Sequence, residues 1–165
     1  MTILAVDPSS RSCGLALVSD DGRVLACGVI RATRIGLMAR HIWEFIDARF
    51  GLLHSTRLVI ERATPQTRKG IYTDNYPVGV AAGMWIMAMG SFDAYQLMLI
   101  KPQEWRKGML QRGIKGRDAY KAAAIVRANQ ELLASGLPQL GPEVKGLDDL
   151  ADAVCIGVYA AAKGA

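Results

Sequence analysis

The sequence predicts an α/β fold: a five-stranded mixed sheet, made of an antiparallel three-strand meander plus parallel strands, flanked by helices. Three observations carry this expectation. Residues 2–30 hold three short apolar runs, the last two separated by Asp20-Asp21-Gly22, a hairpin signal. Further on, two apolar runs are separated by a helix-length apolar segment, and a strand–helix–strand order demands a parallel crossover. Finally, 165 residues with 51% hydrophobic and 21% charged side chains suffice for one proper core but not for two, so residues 1–165 read as one domain.

The elements follow in order. Residues 2–7, 13–18 and 23–30 form the meander. From Leu37 to Phe50, the apolar positions Leu37, Ile42, Phe45, Ile46 and Phe50 fall near helical spacing, and Gly51 supplies a stop. Residues 57–61 read as the fourth strand, 62–75 as a polar basic loop, 76–89 as a helix stopped by Gly90, and 94–100 as the fifth strand. A short helix begins at Pro102 and runs to Lys107, since proline suits the first helical turn. A loop at 108–116, a helix at 117–133, a loop at 136–146 and a closing helix at 147–163 complete the chain.

Val78 to Met89 is almost wholly apolar, but it falls short of the roughly 20 residues that span a bilayer. With Gly79, Gly83, Met84, Met87 and Met89 it reads as a helix buried against the sheet, with a second subunit as an additional neighbour. Cys13, Cys27 and Cys155 are scattered singly and lack zinc spacing, which suggests reduced, packed thiols. Asp7-Pro8-Ser9-Ser10-Arg11 cuts off the first apolar run too early for a signal peptide, so cytoplasmic residence is the expectation.

The formal net charge is +5, which points to a polyanionic partner or simply to a solvated basic surface. Placement helps to choose between them. Lys101, Arg106, Lys107, Arg112, Lys115, Arg117 and Lys121 crowd one segment opposed only by Glu104 and Asp118, and Arg62, Arg68 and Lys69 add to the earlier loop. Nucleic acid is the polyanion that such clustering favours.

Carboxylates mark the chemistry. Asp7 ends the run Ile3-Leu4-Ala5-Val6, Glu61 ends Leu58-Val59-Ile60, and Asp149 and Asp152 stand one helical turn apart. Each has an ordinary reading: Asp7 as a turn former, Glu61 as a surface ion-pair partner, and Asp148 and Asp149 as acids favoured at a helix N-terminus. Asp152, inside Leu150-Ala151-Asp152-Ala153-Val154, is harder to dismiss and shares a helix face with Asp149. If the first strand is central, all four meet at one edge of the sheet. Clustered carboxylates repel one another unless a cation sits between them, which points to a divalent metal and phosphoryl chemistry. His41 and His54 offer no sensible general base, and hard oxygen donors suit Mg²⁺.

Three stretches resemble a known family. Ile3-Leu4-Ala5-Val6-Asp7-Pro8-Ser9-Ser10 followed by Cys13-Gly14-Leu15-Ala16, then Val59-Ile60-Glu61, then Asp149-Leu150-Ala151-Asp152-Ala153, are similar in order and spacing to the RuvC-type Holliday junction resolvases, in a phage or otherwise divergent form. The resemblance extends over nearly the whole chain and implies a ribonuclease H-like fold. It also implies that Asp7, Glu61, Asp149 and Asp152 are catalytic metal ligands, while Asp148 has no clear counterpart. A homodimer that cuts opposed strands of a four-way DNA junction is implied as well.

The basic residues implied to approach the junction are Arg106 or Lys107, and Lys121, with Arg62, Arg68, Lys69, Arg112, Lys115 and Arg117 as further candidate DNA contacts. One departure is visible. Cellular members carry an aromatic wedge soon after the strand glutamate, whereas this chain has Ala63-Thr64-Pro65 there. Tyr72 and Tyr76 are the candidate stacking groups, although Tyr76 reads first as a packed aromatic beside Pro77.

Two Mg²⁺ ions about 3.5–4 Å apart, replaceable by Mn²⁺, would then serve hydrolysis, with Asp7 bridging both. Two alternatives stay open: a branch-general or RNA-directed ribonuclease H-like nuclease, and a non-cleaving DNA-binding module. An actin-like nucleotide-binding domain lacks support, because no glycine-rich phosphate loop of recognisable spacing is present.

Overall fold

A computed structural model describes residues 1–9, 12–32, 35–48, 56–62, 66–68, 71–73, 76–90 and 97–164. The meander is present as β1 (Thr2–Pro8), β2 (Ser12–Ser19) and β3 (Val24–Arg31), all antiparallel. Gly22 turns the second hairpin at φ 86°, a left-handed conformation that costs glycine little, and the Ser19 and Arg23 backbones close it at 2.9 Å. Next come α1 (Ile35–Asp47) and β4 (Thr56–Glu61). β4 pairs parallel with β1, so the main sheet runs β3-β2-β1-β4 and ends on β7 (Leu97–Ile100), also parallel. This is the expected five-stranded mixed sheet, with β1 at its centre.

The reading of 62–75 as a loop is corrected. β5 (Gln66–Arg68) and β6 (Ile71–Thr73) form a small antiparallel ladder of their own. Thr67, Ile71, Tyr72 and Thr73 are β-branched or aromatic, and this local preference prevails over the polarity of the segment. The predicted stop at Gly51, His54, Lys69 and the predicted start of the fifth strand at 94–96 lie outside the described residues.

The remaining helices are α2 (Tyr76–Gly90), α3 (Pro102–Met109), α4 (Arg117–Ala134) and α5 (Leu147–Ala162). At the start of α3 the Glu104 carboxylate accepts the Lys101 backbone N–H at 3.2 Å. Strand alternation divides the core between the two faces of the sheet. Leu4, Val6, Leu15, Leu58 and Ile60 pack beneath α1 and α2 with Met38, Ile42 and Trp85, while Ile3, Ala5, Ala16, Val18 and Val59 pack beneath α3, α4 and α5 with Trp105, Leu132 and Ile156. Burying each large aliphatic side chain contributes roughly 1.5–3 kcal/mol.

Two glycines bring these layers together. A Cβ on Gly157 would lie 2.6 Å from Val18 Cγ2 and 3.2 Å from Ala5 Cβ, so α5 lies almost on the sheet. A Cβ on Gly14 would overlap the backbone carbonyl of Asp149, so the first turn of α5 is pressed onto β2 at the residue paired with Asp7.

Candidate active site

The register places the first two carboxylates side by side. Val6 pairs with Ile60 across the parallel β1–β4 ladder, and the next residues along the two strands are Asp7 and Glu61. Just beyond Glu61, the Arg62 backbone N–H donates to the Ile100 carbonyl at 2.8 Å, which fixes the strand end. α5, laid across β1 and β2 through its contact at Gly14, brings Asp152 to the same edge. One carboxylate oxygen from each of Asp7, Glu61 and Asp152 lies within 4.8 Å of the others. Three acids distant in sequence thus come close enough together to hold a small hard cation.

Asp149 stands beside this trio but not in it. One of its carboxylate oxygens accepts a hydrogen bond from the Ser12 hydroxyl, on the strand before Gly14. Asp148, the acid without a family counterpart, pairs with Lys121 of α4. The i,i+3 spacing of Asp149 and Asp152 therefore yields one acid of the trio and one neighbour held from the side.

The electrostatics match this geometry. Burial, then repulsion from Glu61, Asp152 and Asp149, pushes the Asp7 carboxyl well above its ordinary range. Asp152 is raised to about 7, by burial first and then by Glu61, with Arg106 opposing. Burial also raises Glu61 against the pull of Arg106, and raises Asp149 against the Ser12 hydrogen bond. For Asp148 partial burial acts upward, but the Lys121 ammonium outweighs it and holds the carboxyl low. Clustered hard oxygen donors whose repulsion Arg106 offsets only in part fit a divalent cation of the Mg²⁺ type.

The candidate DNA contacts divide into groups. Arg62, Lys107, Arg112, Lys115 and Arg117 are exposed. Arg106 turns inward, with Nη2 4.0 Å from Glu61 Oε1 and 3.9 Å from Asp152 Oδ2. Lys121 is already engaged by Asp148. Arg68 lies on β5, Tyr72 on β6 and Tyr76 at the start of α2, their side chains falling, with Lys69, outside the described residues.

Ser12 and Gly14 were not among the residues singled out by sequence as functional. Their signal is faint: a serine in a serine-rich turn, and a glycine inside an otherwise apolar strand.

No protein-family model matches the sequence, and no curated protein matches it either. Solved structures do match. The Thermus thermophilus RuvC in complex with a Holliday junction substrate superposes with a TM-score of 0.64 at 19% identity, over 96% of this chain and 92% of that one. The fowlpox virus resolvase bound to Holliday junction DNA gives 0.54 at 15% identity, over 99% and 98%. The yeast mitochondrial Holliday junction resolvase Ydc2 gives 0.52 at 17%, over 95% of this chain and 76% of that one. This chain therefore has the ribonuclease H-like fold of the RuvC-type resolvases.

Proposed function

We propose that the protein is a structure-selective endodeoxyribonuclease that resolves four-way DNA junctions by paired, metal-dependent hydrolysis of phosphodiester bonds. The observation that carries this reading is the meeting of Asp7, Glu61 and Asp152 within 4.8 Å at the carboxyl edge of the central strands. The likeness in fold to three junction resolvases supports branched DNA as the substrate.

Asp7, Glu61 and Asp152 would hold the cations, with Asp149 completing the shell from its place beside Ser12. Asp7, at the end of the central strand, would be the ligand shared by both ions. Two Mg²⁺ ions, with Mn²⁺ as substitute, would activate the attacking water and offset charge on the leaving oxygen. The chain's own contribution is placement: strand ends and a packed helix fix the acids before substrate arrives, so little reorganisation is left for the reacting step. Exposed Arg62, Lys107, Arg112, Lys115 and Arg117 would take the phosphates, together with Arg68, Lys69 and Lys121, while Tyr72 would stack on an unpaired base.

A homodimer would supply the second active site. Leu97 and Leu99, opposite Leu58 and Ile60 in the register, are 40% and 49% exposed, and Met87 on α2 is 77% exposed. An apolar edge of this kind suits a second copy.

The deciding experiment is cleavage of a synthetic four-way junction with Mg²⁺, mapped on all four strands beside three-way, flapped and RNA–DNA hybrid substrates. Paired symmetric cuts confined to the four-way junction are expected. Equal cutting of all branched substrates would reassign the enzyme to a branch-general nuclease, and cutting of the hybrid alone to an RNA-directed one. Binding without cutting in Mg²⁺ or Mn²⁺ would leave a DNA-binding module.

A further inference from the structure

Arg106 differs from the other cations of its segment. Its side chain is 35% exposed, and Nη2 lies 4.0 Å from Glu61 Oε1 and 3.9 Å from Asp152 Oδ2. Two rings hold it there: its guanidinium carbon is 5.2 Å from the centre of the Trp105 ring and 5.6 Å from that of Tyr120. Trp105 is fully buried, so that support cannot shift without opening the core. Cation–π contact of this kind favours a planar, weakly hydrated guanidinium over an ammonium.

The distances give the contact its meaning. Charge-assisted hydrogen bonds close to about 2.7–2.9 Å, and then the carboxylate lone pairs are spent on the donor. At nearly 4 Å, Arg106 offsets the charge of Glu61 and Asp152 while leaving their oxygens open to another partner. The same charge repels any dication that enters between them.

We propose that Arg106 is a stand-in cation: it holds Glu61 and Asp152 together before metal arrives, and it weakens the binding of the divalent ion they share. The inference rests on the reading of these acids as metal ligands. It makes the affinity of the centre a property of α3 as well as of the carboxylates, so the site is ordered without metal and never binds it as tightly as its ligands alone would allow.

The test is Mn²⁺ titration by calorimetry on the full chain, with thermal melts in EDTA and in excess Mg²⁺. Arg106→Gln is expected to bind Mn²⁺ about tenfold more tightly than the unmodified protein. It should also melt lower in EDTA, with the deficit shrinking in Mg²⁺. Arg106→Lys keeps the charge but loses part of the ring support, so its gain should not exceed about threefold. Arg40→Gln, which removes an equal charge from the exposed Arg40–Glu44 pair on α1, should leave Mn²⁺ binding unchanged.

Equal or weaker Mn²⁺ binding by folded Arg106→Gln overturns the inference while the ligand reading stands. No Mn²⁺ binding by the unmodified protein overturns the ligand reading, and the inference with it. If Arg106→Gln does not fold, Tyr120→Leu carries the test by removing one supporting ring. A gain of about threefold supports the role, and no gain overturns it.

Discussion

Asp152 is the residue through which pH reaches this site. Its carboxyl, raised to about 7 by burial and by Glu61, is protonated in the folded metal-free protein at pH values where the unfolded chain has already ionised. A raised acid stabilises fully below its unfolded pKa, and that contribution is lost as pH rises through the folded value. Asp7 and Glu61 shift in the same direction. Melting temperature in EDTA should therefore fall between about pH 4, where the unfolded chain ionises, and about pH 7, and excess Mg²⁺ should remove most of that fall. Protons and metal compete for the same oxygens, so Mn²⁺ affinity should drop as pH falls through this range. A melting temperature in EDTA that stays level or climbs would contradict the assignment.

Asp7→Asn keeps the shape of the central ligand and removes its charge. Cleavage should fall by about a thousandfold or more, while junction binding holds or tightens because one anion facing the phosphates is gone. Nicking and gel-shift affinity measured on one preparation check both halves. Ser12→Ala frees the Asp149 oxygen that the hydroxyl now engages. Losing one hydrogen bond to a charged group should cost about 1.5–3 kcal/mol of stability, read by denaturant titration.

Among elements, α5 decides the site, because the same helix both roofs the sheet and delivers Asp152. Gly14 and Gly157 separate these duties. Gly14→Ala forces the new methyl into the Asp149 carbonyl, displacing the turn that carries two acids. It should cost about 3 kcal/mol and weaken Mn²⁺ binding sharply. Gly157→Ala meets Val18 and Ala5 about two turns further on, so it should cost a similar amount in stability with a much smaller effect on Mn²⁺. Thermal melts paired with Mn²⁺ titration distinguish the two; equal metal loss in both would show that the helix moves as one rigid piece.

The element scale also shows what was legible in the sequence. Strand-end acids announce themselves, since Asp7 and Glu61 each close an apolar run, and the parallel pairing of β4 with β1 puts them side by side at the centre of the sheet. Asp152 is conspicuous for a similar reason, as an acid among residues that the core requires. The Ser12–Asp149 bond, the Asp148–Lys121 pair and the inward turn of Arg106 leave no such mark. Each depends on how closely α5 meets the sheet and on where α3 and α4 fall against it, and packing distance has no sequence period. The β5–β6 ladder escaped because three-residue strands are too short for alternation to show above a polar background.

Across the whole molecule, positive charge and apolar surface would act at different places. Exposed Lys107, Arg112, Lys115 and Arg117 gather on α3, at the start of α4 and between them, so junction affinity should fall steeply with salt, and Arg112→Ala should lower the slope of log affinity against log salt by about one. The apolar positions lie on β7 and α2. Leu99→Lys, at a position 49% exposed, should cost little stability yet shift the chain toward a monomer in light scattering, with paired cuts giving way to single nicks. An unchanged mass would rule out that edge as the seam between copies.

The trio at the sheet edge draws on β1, β4 and α5, so Asp152 is made well after Asp7 and Glu61. A nascent chain that has not yet reached Asp152 holds only two of the three acids. Under the proposed function, such a chain would bind nucleic acid before it could cut it.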